Sequence, residues 1–280
     1  MNGAPPRQFW LCADDYGLSP GVNRAIRDLI GRGRLNATSV MVVGPAIGRD
    51  EVNALNDAAA KRSHCAIGLH ATLTAPFHPL TMHFQPLNGG LFLPFPKLLR
   101  LGLLRRLDPE IIRAELIAQF SAFHEHFGRA PDFVDGHQHV QLFPQVRDAF
   151  LTAVKEVAPN AWVRQGGRSQ PLARRLWSPK ALLLDLLSAQ FRRSAARAGI
   201  AFNPGFAGAY DFSRASDFGE LMQQFLDGLP EDGLIMCHPG FVDEILISLD
   251  PLTDQREHEY AFLAGDAFPL LLVMNNVTLA

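Results

Sequence analysis

Phe9-Trp10-Leu11-Cys12-Ala13-Asp14-Asp15-Tyr16-Gly17 begins as an unbroken apolar run and ends on two carboxylates and a glycine. An apolar run of this length without polar alternation fits a strand buried on both faces, as in a parallel sheet. Two adjacent acids at the C-terminal end of such a strand are costly unless something positive sits beside them. Ser19 and Pro20 then read as the N-cap and first turn of a helix carrying Ala25, Ile26, Leu29 and Ile30. Strand, polar end, helix is one βα unit.

The same unit recurs along the chain. Ala37 to Val43 is a second strand, followed by a helix from Arg49 to Lys61, and Cys65 to His70 is a third strand ending in a histidine. Asp132-Phe133-Val134 runs into Asp135-Gly136-His137-Gln138-His139, and Leu234-Ile235-Met236-Cys237 runs into His238-Pro239-Gly240. Helices are expected over Asp108–Phe127, Pro144–Val157, Phe218–Leu229, Asp254–Leu263 and Pro269–Asn275. Short strands are expected at Trp162-Val163, Ala201-Phe202 and Val277–Leu279. Alternating strands and helices with polar residues at several strand ends describe an α/β fold with its site at the C-terminal edge of a parallel sheet. Residues 75–107 break the rhythm. Pro76, Pro79, Pro86, Pro94 and Pro96 argue against regular structure there, so the segment reads as a long functional loop or lid.

With 280 residues, 48% hydrophobic, the chain is long enough for one large domain, and no composition break marks a second. A net charge of -2 excludes the strongly basic footprint of a nucleic-acid partner. Cys12, Cys65 and Cys237 have no CxxC spacing and read as buried thiols of a reducing compartment. No signal-peptide core follows the Pro-rich start, and no apolar run approaches a transmembrane length, so the expectation is a cytoplasmic protein, soluble or at the inner face of the membrane. The oligomeric state is not legible.

The chemistry rests on Asp14, Asp15, His70, His137, His139 and His238. Two neutral imidazoles and a carboxylate can hold a divalent ion and leave positions open for water and substrate. A spare carboxylate beside a ligand can accept the proton of an attacking water, and a histidine opposite can donate one to a departing nitrogen. Taken singly, each of these residues is as readily a helix cap, a core histidine or a turn. Their shared position at strand ends is what joins them. His64, His78, His83, His124, His126 and His258 lack it and read as solvated.

Four stretches in order, Ala13-Asp14-Asp15-Tyr16-Gly17-Leu18-Ser19, Gly68-Leu69-His70, Asp135-Gly136-His137-Gln138-His139 and Cys237-His238-Pro239-Gly240, resemble the motifs of the YdjC-like carbohydrate deacetylases. Relatives often carry Ser where this chain has Gly136. The resemblance spans nearly the whole chain and implies a distorted, TIM-like β/α barrel over residues 1–280, with the Pro-rich segment at about 75–107 as an insertion. It implies a divalent metal on Asp15, His70 and His137, with Asp14 as general base and His238 on the acid or oxyanion side. Asp135, His139, Tyr16 and Phe241 are then expected behind the ligands or against the substrate. Zinc suits the donor set best; nickel, cobalt, manganese, iron and magnesium also fit.

Arg256-Glu257-His258-Glu259-Tyr260 through Phe268-Pro269 is similar to the C-terminus of the hopanoid-biosynthesis-associated branch of that family. This implies removal of acetyl from an N-acetylglucosaminyl hopanoid. Soluble N-acetylated oligosaccharides such as chitooligosaccharides are the alternative substrate; a metallophosphoesterase and a metal-dependent sugar-binding module are alternatives of other classes. Leu and Phe interleaved with Lys97, Arg100, Arg105 and Arg106 in 91–107, and Leu with Arg192, Arg193 and Arg197 in 182–197, have the composition of interfacial segments. They are expected at the mouth of the site, touching a lipid or a bilayer; a buried lid with solvated arginines is the competing reading.

Overall fold

The computed structural model describes residues 5–167, 179–212 and 217–280. Its first half runs β1 (Arg7–Tyr16), α1 (Pro20–Gly31), β2 (Ala37–Val40), α2 (Arg49–Ala60), β3 (Ala66–Ala71), α3 (Phe95–Leu103), α4 (Pro109–Phe127) and β4 (Phe133–Gly136). A 3-10 turn (His137–Leu142), α5 (Val146–Val157), β5 (Trp162–Val163), α6 (Pro179–Ala198) and β6 (Phe206–Ala207) follow. The chain ends with α7 (Phe218–Leu226), β7 (Gly233–Cys237), α8 (Glu244–Leu249), α9 (Asp254–Ala264), α10 (Ala267–Met274) and β8 (Val277–Leu279).

The strands form one parallel sheet in the order β5-β4-β3-β2-β1-β7-β6, with β8 paired to the start of β1. The sheet curls until its edges nearly meet. Val163 of β5 bridges to Phe202, and four residues further on β6 pairs with β7. The expected strand at Ala201-Phe202 is thus a single bridge, and the regular pairing falls at Phe206–Ala207. This is a distorted β/α barrel, closed by one irregular segment.

Strand periodicity explains the contents of the barrel. A small inner cluster contains Cys12, Ala37, Phe133 and Leu234, with Trp10 and Trp162 packed against it, and Phe133 stacks on Trp162 at 4.6 Å. This is the floor. Two residues further along the same strands, on the same face, come Asp14, Ser39, Asp135 and Arg164. The outer faces pack against the helices in the main core, so the strands are buried on both sides.

Within residues 75–107 the stretch 75–94 is irregular as expected, and one part corrects the sequence reading. Phe95–Leu103 is a helix, because Pro94 and Pro96 sit at its N-cap and first turn, where a missing N–H costs nothing. The irregular stretch before it is tied down by α4. Buried Glu115 accepts the amides of Leu80 and Thr81, and buried Gln119 exchanges hydrogen bonds with the Thr72 backbone. Helix α8, capped by Asp243, follows the His238 turn. The Leu- and Arg-rich segment 182–197 lies within α6. Among the described residues no helix is long and apolar enough to cross a membrane.

Candidate functional site

Adjacent residues on a strand point to opposite faces, yet Asp14 and Asp15 both face the barrel mouth. The β1–β2 register shifts between Ala13 and Tyr16, and Asp15 takes a left-handed φ of 71°. The bulge turns Asp15 back to the side of Asp14. Gly17, at φ 101°, completes the reversal; a Cβ there would stand 2.7 Å from the Met41 carbonyl oxygen. Asn23 holds the turn by accepting the Gly17 amide at 2.6 Å. Strand β4 ends at Gly136, and Gln138 and His139 both adopt positive φ, so His137 and His139 diverge.

One oxygen of Asp15, His70 Nε2 and His137 Nδ1 converge. Asp15 Oδ1 lies 3.3 Å from the first nitrogen and 3.2 Å from the second. Ligands about 2.0–2.1 Å from a tetrahedral ion are spaced by about 3.3 Å. The two nitrogens and one oxygen therefore fit a divalent metal in both chemistry and spacing. The remaining atoms of these side chains are held from behind. His70 Nδ1 lies 2.6 Å from Asp135 Oδ1 and 3.0 Å from Ser39 Oγ, which turns Nε2 toward the cluster. Asp15 Oδ2 accepts from Arg256 at 2.7 Å, and the same guanidinium group reaches Asp250 at 2.7 Å. Burial opposes charge on Asp15, but Arg256 and the two histidines hold its carboxyl well below the usual range. Burial likewise opposes charge on His70, yet Asp135 lifts it to about 10. Metal on Nε2 would displace that proton, coupling binding to proton release.

Asp14 has a different partner. Arg164, fully buried, donates to both of its oxygens at 2.8 and 2.7 Å and lies 2.7 Å from Asp135 Oδ2. Burial pushes the Asp14 carboxyl up, and Arg164 outweighs it, bringing the group to about 2. Cys12, Asp14 and Asp135 also have a metal-site composition, but the guanidinium group fills the space between the two acids. His238 Nε2 stands 3.9 Å from Asp14 Oδ2, and both residues line a cavity of about 470 Å³. Its Nδ1 is buried without a hydrogen bond, and burial lowers its pKa. His139 lines the same cavity outside the converging donors. Burial, reinforced by Arg164, takes it down to about 3, so it stays neutral. Phe77 meets His137 edge-on from behind, and Phe212, which lines the cavity, meets His238 likewise.

With that arrangement in view, the sequence pattern of the YdjC-like proteins matches residues 8–273. The chain belongs to the YdjC-like family. It is 29% identical over 248 residues to a chitooligosaccharide deacetylase of Escherichia fergusonii, covering 84% of this chain and 82% of that one. A solved structure from Enterococcus faecalis, named for a proposed role in cellobiose-phosphate cleavage, superposes with a TM-score of 0.74 at 20% identity, covering 98% of this chain and 97% of its own. The lactam utilization protein of Thermus thermophilus gives 0.50 at 16% identity, over 97% and 98% of the two chains. At these identities the structures speak for the fold alone.

Two expected residues of this YdjC-like chain lie elsewhere. The bulge at Asp15 sends Tyr16 outward, where its hydroxyl donates to the Glu51 carbonyl at 2.7 Å and accepts from Arg27. Phe241 packs on Tyr260 with the Arg24 guanidinium group 4.6 Å from its ring centre. Neither lines the cavity. Arg164, Arg256, Asp250 and Glu259 were missed. Arg164 directly follows Trp162-Val163, so the strand-end logic that selected the histidines would have found it. Arg256 and Glu259 lie on α9, and nothing local points them inward.

Glu259 holds the loop bearing His238. Its two oxygens accept from the His238 amide and, at 2.7 Å, from the Tyr210 hydroxyl. Burial raises its carboxyl from 4.5 to about 7, against those hydrogen bonds. The folded state thus binds the proton more tightly than the unfolded chain, and stability falls as pH rises through that window. Glu259→Gln mimics the protonated form, so its melting temperature relative to wild type is expected to rise between about pH 5 and pH 8. Calorimetry at the two pH values checks this; a difference that does not grow with pH rules it out.

Proposed function

We propose that this chain is a metal-dependent N-deacetylase of N-acetylated amino sugars. The observation that carries the reading is the division of labour between neighbouring acids. Asp15 joins His70 and His137, while Asp14 stands beside them on its own arginine and faces His238. A site that only bound a sugar would have no use for the second acid. The chitooligosaccharide deacetylase relative supports the same chemistry.

A divalent ion on Asp15, His70 and His137 would polarise the acetyl carbonyl and make a neighbouring water more acidic. The protein's own groups do the rest. Asp14 accepts the water proton as the oxygen attacks the carbonyl carbon. With its carboxyl held at about 2, it keeps that proton weakly. His238, neutral at the outset, is near enough to take it and pass it to the amide nitrogen. The C–N bond breaks, giving acetate and the free amine. Asp135 and Ser39 orient His70, and Arg164 and Arg256 fix the two acids.

Chitooligosaccharides are the substrate class that the relative supports. The stretch from Arg256 to Pro269 supports an N-acetylglucosaminyl hopanoid as the second reading, with 91–107 and 182–197 contacting lipid. The test measures acetate released from diacetylchitobiose and from an acetylglucosaminyl hopanoid with zinc added. Release from either upholds the deacetylase, and the ratio chooses the substrate. Release from neither, with phosphate freed from a phosphoester, would make it a phosphoesterase. In the same preparation His137→Ala is expected to lose metal by titration calorimetry, whereas His139→Ala keeps it and is the milder lesion in turnover.

A further inference from the structure

The N-terminal end of the barrel, opposite the catalytic cavity, holds a recess of about 670 Å³. Trp10 precedes Asp14 by four residues on β1, so about 13 Å of strand separates the two ends, with the packed floor of the barrel between them. Trp10 and Trp162 line the recess and are only partly buried, while His64 and Asn160 stand exposed on its rim. The ring centre of Trp10 is 6.0 Å from that of Trp162 and 5.1 Å from that of His64. Phe133 stacks on one face of Trp162, and the indole still lines the recess. Among the described residues neither indole N–H has a protein acceptor, and neither is sealed from solvent. The side chains of His64 and Asn160 likewise have no hydrogen-bond partner among those residues. The acid and the guanidinium group of the lining are matched to each other: Arg129 donates to the two oxygens of Asp132 at 2.9 and 3.1 Å.

These features narrow the ligand. With Arg129 and Asp132 paired, the recess calls for no ion. The two indole planes are inclined by 43°. They therefore offer no parallel slot roughly 7 Å wide, twice the carbon contact distance, in which a flat aromatic ring would be sandwiched. What they offer is aromatic surface edged by hydrogen-bonding groups that the protein leaves unused. A pyranose ring has the matching form, with C–H groups on its face and hydroxyls around its edge. We propose that this recess is a second, non-catalytic site that binds a neutral saccharide. The sugar face lies on the Trp10–Trp162 surface, and its hydroxyls meet the indole N–H groups, His64 and Asn160. The ligand class is read from the recess and does not rest on the deacetylase reading. The packed floor keeps the two sites apart, so one short saccharide cannot fill both.

The experiment follows the indole N–H signals of Trp10 and Trp162 by nitrogen-15 NMR, assigned with Trp10→Phe and Trp162→Phe. The zinc-loaded Asp14→Asn protein is titrated with diacetylchitobiose, so that the sugar is not consumed. Both signals are expected to move and to saturate. Adding His64→Ala and Asn160→Ala, both at exposed positions, is expected to weaken that binding by at least about fourfold, since a neutral hydrogen bond is worth about twofold to tenfold. The circular dichroism spectrum should be retained. Indole signals that stay fixed up to the solubility limit of the sugar overturn the proposal. So does a movement that the two alanines leave unweakened, because it would be relayed from the catalytic cavity. Adenosine is the counter-probe: if it moves the two signals at lower concentration than the sugar, the recess takes flat aromatic ligands and the saccharide assignment fails. The deacetylase and the second site fail separately. Acetate release by the wild type with fixed indole signals keeps the first and sinks the second, and saturable indole shifts without acetate release do the reverse.

Discussion

Asp14→Asn is expected to reduce acetate release by about a thousandfold or more while leaving the affinity for zinc within about threefold of wild type. General-base removal typically costs 10²–10⁴ in rate. The substitution keeps the shape of the side chain and removes its ability to take a proton. It leaves Arg164 paired with Asp135, so the fold has no reason to fail. Asp15→Asn is the complementary variant: it lies on His70 and His137 and on Arg256, and its loss should be read in metal affinity. Calorimetric zinc titration and turnover, measured on both variants, separate the two roles. If Asp14→Asn loses metal and Asp15→Asn keeps it, the assignments are exchanged.

Arg164→Met is expected to be the most destabilising single change at the site, by about 3–5 kcal/mol. Arg164 is fully buried, and it pairs with two carboxylates that are 2% and 0% exposed. Removing it strips Asp14 of both its guanidinium hydrogen bonds and leaves Asp135 with His70 alone, at the cost of under-compensated buried charge rather than of one lost contact. Urea denaturation of the metal-free protein gives the number. Adding Asp14→Asn to Arg164→Met should recover part of the loss, because it removes one of the stranded charges. A double variant no more stable than Arg164→Met would show that Arg164 acts through packing instead. Arg164→Lys is a useful third member. A lysine keeps the charge but cannot donate two parallel hydrogen bonds to Asp14, so it should keep more stability than turnover.

Much of this was readable from one chain because strand burial and strand ends leave local marks. Phe9–Ala13, Cys65–Leu69 and Leu234–Cys237 are apolar without alternation, and each runs straight into a polar residue. A buried parallel strand has that composition, and its C-terminal end is where a β/α fold can expose chemistry. The helix starts were equally local, since Ser19 caps α1 and Asp108 caps α4 as their side chains dictate. Within 75–107 only Phe95–Leu103 was misjudged, again for a local reason. Prolines exclude a helix interior but not its first turn, and Pro94-Phe95-Pro96 sits at a first turn.

Other features depend on contacts between residues far apart in the chain. Asp14 and Asp15 are indistinguishable as neighbours; only the bulge at Asp15, and guanidinium groups arriving from positions 164 and 256, give them different partners. Asp135 and His70 are 65 residues apart, and pairing of β3 with β4 puts them side by side. Tyr16 and Phe241 stood next to the right motifs and turned away: the reversed φ at Asp15 sends Tyr16 to the other face, and Phe241 packs on Tyr260 of α9. An apolar recess beside the catalytic cavity has no motif at all, since its lining is drawn from α3, α6 and the turn after β4. The sequence by itself determined the strands, their polar ends and the inventory of acids and histidines, because those follow from burial and from nearest neighbours. Which acid pairs with which arginine, and where apolar room lies beside the site, was decided only when the barrel closed and set distant strand ends a few ångströms apart.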